Sequence, residues 1–163
     1  MQPDPLPPPT ADLADAVVGL WRLVSREDYD RSGRRLIDPV LGADPLGILA
    51  FSATRFAAQF TQRDRTASAS ADAATPASSA GPAVRGANNS AASDGYDAYF
   101  GSWTVDARAG LATVHLEGSI VPANVGLALT RELRVAGDRL YIRLDTNTPD
   151  GVPITRTLVF ERG

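Results

Sequence analysis

His115 is the only histidine of the chain, and it stands two residues before Glu117 in the stretch VHLEGSI at 114 to 120. An imidazole titrates near neutral pH, and residues two apart on an extended strand share a face, so the pair has the make-up of a proton-transfer or ligand-orienting site. Further on, Arg131 alternates with Leu129, Leu133 and Val135, which places a guanidinium on the core face of the next strand. A core-facing cation needs an anionic partner or an anionic ligand, because an unpaired buried charge is very costly. Glu117 and Glu27 are the candidate partners. Periodicity leaves two readings open. In one, Thr113, His115, Glu117 and Ser119 form a solvated face and Arg131 sits in a satisfied core salt bridge. In the other, His115, Glu117 and Arg131 are polar anchors, or candidate catalytic groups, inside an apolar cavity.

Aromatic residues supply the rest of such a cavity. Tyr96, Tyr99, Phe100 and Trp103 fall on one segment, with Tyr99 and Trp103 on the same face. Alternate aromatics on a strand are core residues first, but the inner face of a hollow barrel is also its cavity wall. Tyr99, and Gln59 on an earlier strand, are placed to bond a bound carbonyl. Other chemistries are excluded. The chain has no cysteine, hence no thiol nucleophile and no thiolate metal site, and one histidine cannot build a histidine-rich zinc site. No metal is expected. Ser25, Ser119 and His115 do not make a hydrolase, since no Gly-x-Ser-x-Gly elbow accompanies them.

The elements that must position these residues are strands. From Gly19 the apolar period is two, and GLWRLVSREDY puts Trp21, Leu23, Ser25, Glu27 and Tyr29 on one face. LGILAFS and RFAAQFTQR follow as a hairpin turning at Ala53 and Thr54. YDAYFGSWTVD, LATVHLEGSI, LALTRELRVA, RLYIRLDT and VPITRTLVFER complete eight strands in simple succession, with hairpin-sized turns except at one long connection. VPANVG at 121 to 126 is a turn expected at the barrel rim. Ahead of the strands, TADLADAVVG reads as a helical turn with Thr10 as N-cap. Eight antiparallel strands without a covering helix resolve their edges by closing, so the expected fold is all-β, an eight-stranded up-and-down antiparallel barrel.

At 163 residues, 44% of them hydrophobic, the chain supports one domain with a sizeable core. We expect a Pro-rich arm at 1–10, exposed and stiff, and the barrel at 11–163. The segment at 66–93 is rich in alanine, serine, glycine and proline, with Val84 its one large aliphatic side chain. It reads as a long flexible loop, a mobile flap, with a domain boundary as the alternative. The net charge is −3 and all 16 basic residues are arginines scattered along the chain. No basic field exists for nucleic acid. No segment approaches the roughly 20 apolar residues of a membrane span, and the N-terminus lacks a signal-peptide pattern. The expectation is a cytoplasmic protein without a membrane partner; oligomeric state is not legible.

Several stretches together resemble the bacterial and fungal lipocalin-like domain family: GLWRLVS at 19 to 25, DPLGILAFSATRFAAQFTQRDR at 44 to 65, GYDAYFGSWTVD at 95 to 106, TVHLEGSIVPANVG at 113 to 126, LTRELRVAGDRLYI at 129 to 142 and GVPITRTLVFER at 151 to 162. The resemblance runs from about residue 17 to the end, outside the alanine-rich loop. The chain departs from the family pattern near Gln62, where an arginine is usual. The resemblance implies an up-and-down barrel whose cavity takes a small, largely apolar molecule, without a cofactor. It further implies that Trp21 packs under Arg162 of the last strand and plugs one end.

Sequence and resemblance together predict a barrel that binds a small hydrophobic or amphipathic molecule, with Glu27, Gln59, Tyr99, Trp103, His115, Glu117 and Arg131 as its contacts. The alternative is a cofactor-independent isomerase or cyclase acting on a polyketide- or terpenoid-like substrate in the same cavity. There His115 or Glu117 would serve as acid or base, with Arg131 stabilising enolate-like charge.

Overall fold

The computed structural model describes residues 4–65 and 94–163; the expected loop at 66–93 lies outside the described residues. A short helix α1 (Leu13–Ala16) precedes nine strands: β1 (Gly19–Asp30), β2 (Arg35–Leu36), β3 (Leu46–Phe51), β4 (Arg55–Thr61), β5 (Tyr96–Asp106), β6 (Leu111–Ser119), β7 (Ala128–Ala136), β8 (Arg139–Asn147) and β9 (Pro153–Arg162). β1 and β3 to β9 pair in sequence order, all antiparallel, and β9 returns to β1, so the eight long strands close into a barrel. β2 is an accessory strand of two residues paired with Asp28 and Tyr29. Alternation drives the closure. In β9, Ile154, Arg156, Leu158 and Phe160 are buried while the residues between them are partly exposed, so the inner faces form one core and no long edge is left open.

The two ends are built differently. At one, Trp21 is fully buried and donates its indole N–H to the Val17 carbonyl at 2.8 Å. The Arg162 guanidinium lies 4.2 Å from the Trp21 ring centroid and donates to the carbonyls of Ala16 and Val18. Leu13 and Val17, both fully buried, complete the plug. Gly19 has φ +139°, and a Cβ there would meet Arg162 Nη1 at 2.7 Å, so this corner requires glycine. Thr10 is not the helix N-cap. Asp12 takes that position without a side-chain cap bond, and the Thr10 hydroxyl instead exchanges two hydrogen bonds with the backbone of Val135. The Pro-rich arm is correspondingly tied to the wall, with Arg143 donating to the Asp4 carbonyl at 2.8 Å.

At the other end the connection at 37–45 folds over the mouth. Leu41 is 2% exposed and joins the core cluster. The Asp38 carboxylate accepts the backbone N–H groups of Val40 and Leu41, each at 2.8 Å, which fixes the turn that inserts Leu41. The turn at 121 to 126 contains a 3-10 segment, Pro122–Asn124, with Asn124 buried. Among the described residues no helix is long and apolar enough to cross a membrane.

Candidate functional site

The barrel encloses a cavity of about 40 Å³, walled by Leu49, Phe51, Phe56, Phe60, Ala112, Val114, Leu133, Ile142, Leu158 and Phe160 and carrying two polar groups, those of Tyr99 and Arg131. β7 points Arg131 inward between Leu129 and Leu133, leaving it 7% exposed. Its guanidinium donates to the Thr130 carbonyl at 3.2 Å and pairs with the Tyr99 hydroxyl. Burial lowers its pKa, the Tyr99 interaction opposes this, and nearby Arg156 adds to it. A cation in an apolar, close-packed interior favours any ligand that brings an electron-rich oxygen to it. Tyr99 also lies edge-on to Phe56, with ring centroids 6.0 Å apart. Trp103 packs edge-on against Phe51 at 5.0 Å and donates its indole N–H to the Ser52 carbonyl. It therefore belongs to the core near the plugged end and does not line the cavity.

Above the cavity, toward the mouth, lies a buried layer of charge. Arg156 holds Asp28 in a two-pronged pair, with both N···O distances 2.8 Å. Arg26 reaches Asp38 at 2.5 Å and Asp28 at 3.6 Å. These four side chains are 5–8% exposed. Burial and the neighbouring Arg156 lower the pKa of Arg26. Burial works against the charge on Arg156 as well, but its bonds to Asp28 prevail and raise its pKa. For Asp38 burial raises, while Arg26 and the two backbone N–H groups prevail and lower. Breaking one such buried pair by removing a partner typically costs about 3–5 kcal/mol. The layer therefore fastens the 37–45 connection over the mouth.

Asp97 completes the layer. It shares the inner face of β5 with Tyr99, is 5% exposed, and its Oδ1 is buried without a hydrogen-bond partner. Burial raises its pKa to about 7 against the pull of Arg26 and Arg156. At neutral pH this carboxyl stands between its two protonation states, the condition a proton carrier requires.

The remaining expected site residues lie outside the barrel, and their inward placement is corrected. His115 and Glu117 are exposed on the outer face of β6. Glu117 is bonded there by Arg55 of β4, at 2.6 and 2.7 Å, so it is not the partner of Arg131. Alternation holds in β6 through Leu116, with Ala112, Val114 and Leu116 inward, and the ladder with β5 then bulges at Glu117, which is left between the paired Leu116 and Gly118. Gln59 is on the outer face of β4, accepting the Tyr96 hydroxyl at 2.7 Å. Glu27 fails for a different reason. A β-bulge between Leu23 and Ser25 adds one residue to β1, and one residue reverses the faces of all that follow. Arg26 and Asp28 turn inward, and Glu27 turns outward to accept the Tyr29 hydroxyl. Arg156 and Asp97 had a readable signal, since each alternates with inward apolar residues just as Arg131 does. Arg26, Asp28 and Asp38 had none, because a bulge and an irregular loop put them inside.

A family model described as a lipocalin-like domain matches residues 18–163. No curated protein matches the chain.

Proposed function

From the membership of this chain in the lipocalin-like domain family, we propose that it binds a small, largely apolar molecule inside the barrel, with an oxygen-bearing end held at Arg131 and Tyr99. The observation that carries this reading is a guanidinium, 7% exposed, in the wall of an otherwise apolar cavity. The cavity as it stands has room for roughly two or three water molecules. A ligand of ordinary size must therefore displace side chains as it enters, and the unbranched aromatic wall of Phe51, Phe56 and Phe60 is the part able to rotate aside. Two dyes sharing one ring system test the reading: anilinonaphthalene sulfonate and its uncharged relative N-phenyl-1-naphthylamine. Fluorescence titration is expected to show both bound, the anion more tightly. Arg131→Met should remove that preference while keeping the uncharged dye. Absence of binding by the parent, or a preference that survives in the variant, overturns it.

Asp97 favours a second reading, that of an isomerase without a cofactor. A carboxyl half-ionised near pH 7 on the same inner face as Tyr99 supplies an acid or base, and Arg131 supplies the charge to hold an enolate oxygen. His115 and Glu117, pointing outward, have no part in it. The measurement is exchange of the α-hydrogens of an enolisable ketone in deuterated water, followed by proton NMR. Exchange above the buffer rate that rises with pH through about 7 and is lost in Asp97→Asn supports catalysis; exchange at the buffer rate refutes it.

A further inference from the structure

The barrel wall has a weak line between β1 and β3. β1 pairs with β3 only from Gly19 to Arg22, against Phe51 to Ile48. On the same side it next pairs with β2, at Asp28 and Tyr29. Leu23 to Glu27, which contain the bulge, face no ladder partner there among the described residues. Among the described residues, the upper end of β3, Leu46 and Gly47, is paired with β4 alone. Over this gap lies an outer groove of about 450 Å³, with Val24, Leu46 and Ile48 on its walls and Leu23 and Phe60 beneath. The three wall residues are 40–44% exposed, an unusual cluster of large apolar side chains in water.

Among the described residues, Phe60 alone lines both this groove and the inner cavity. Its ring rests on Gly47, where a Cβ would lie 2.7 Å from Phe60 Cδ1 and 3.0 Å from Leu23 Cβ. The glycine makes the seat that the ring occupies. One aromatic side chain thus separates a groove of ligand size from a cavity too small for a ligand. Rotating that ring breaks no ion pair. Opening the mouth would pull Leu41 from the core and part Asp38 from Arg26.

We infer that small molecules reach the barrel interior through this side opening, with Phe60 as the gate and the groove as the first seat of an apolar molecule. The class is an uncharged or weakly polar body with a hydrogen-bond acceptor at one end. Val24, Leu46 and Ile48 hold the body, and the charges at the rim, Arg22 with Glu161 and Arg63 with Asp44, are already paired. The physiological sense of the entrance rests on the binding function proposed above, but the passage itself is testable without any ligand.

The chain has no cysteine, so Ala112→Cys places a single thiol in the cavity wall. Its rate of alkylation by N-ethylmaleimide reports access to the interior. In that background Phe60→Ala, and Phe60→Leu as the milder change, are expected to raise the rate tenfold or more. Ile48→Trp, which fills the groove from an exposed position, should lower it severalfold. Asp38→Asn, which loosens the mouth, should leave it within twofold. A rate that follows Asp38→Asn and ignores Phe60 and Ile48 overturns the side entrance, as does one that only tracks each variant's urea stability. Should labelling follow Phe60 while neither dye binds the parent, the entrance stands and the binding function fails.

Discussion

Asp97 links the interior to pH. Its carboxyl is raised by burial to about 7, whereas an unfolded aspartate titrates near 4. Between about pH 4 and 7 the unfolded chain gives up a proton that the folded chain keeps. Stability is therefore highest below this window, falls as pH rises through it, and levels off above it, by an amount on the order of 4 kcal/mol at most. Asp97→Asn removes the titration. Urea unfolding should find the variant close to the parent at pH 4.5 and more stable at pH 8, and a parallel pH dependence for the two would contradict this. The plugged end turns on a different single residue. At Gly19 both the positive φ and the 2.7 Å approach of Arg162 oppose a side chain. Gly19→Ala should cost about 1–3 kcal/mol and displace Arg162 from Trp21, visible as a shift in indole fluorescence.

At the scale of the element, what decides a residue's role is which face its strand gives it. β7 and β9 keep their period of two past Arg131 and Arg156, so the inward course of both, Arg156 beside Ile154, Leu158 and Phe160, is written in their sequences. In β1 the bulge between Leu23 and Ser25 reverses the alternation, and nothing in GLWRLVSREDY marks where the extra residue falls. Two of the five members of the charge layer, Arg26 and Asp28, are for that reason invisible in the sequence, and Glu27 is placed inside. β6 shows the opposite hazard. Alternation in its sequence is plain, yet the need of a core-facing Arg131 for an anionic partner argues for turning Glu117, and His115 with it, inward. Their outer position makes a prediction. His115→Ala should change stability by no more than about 0.5 kcal/mol and leave dye binding unaltered. A double-mutant cycle on Arg55 and Glu117, half-exposed partners, should return a coupling of about 0.2–1 kcal/mol. Loss of binding in His115→Ala would require a site on the outer wall.

For the whole molecule, closure was legible because eight amphipathic strands with hairpin turns have few other ways to hide their edges. What the strand count does not disclose is that the seams are unequal. β1 and β9 are paired from Trp21 to Asp30 against Arg162 to Ile154, along nearly their whole length, whereas β1 and β3 share only the ladder from Gly19 to Arg22. The barrel is thus closed firmly where the chain's two ends meet and loosely beside β3. Local opening in proteins follows the least-supported elements, so the first breach should run between β1 and β3, without separating β1 from β9. Native-state hydrogen exchange distinguishes these. Backbone amides in the β1–β9 ladder should exchange only through global unfolding, with a denaturant dependence equal to that of the whole molecule. Those of the β1–β3 ladder should exchange faster, with a shallow dependence that marks a local event, and Phe60→Ala should quicken them further. Equal protection in both seams would mean that the wall opens only by unfolding, and the cavity would then have no route to solvent other than the mouth.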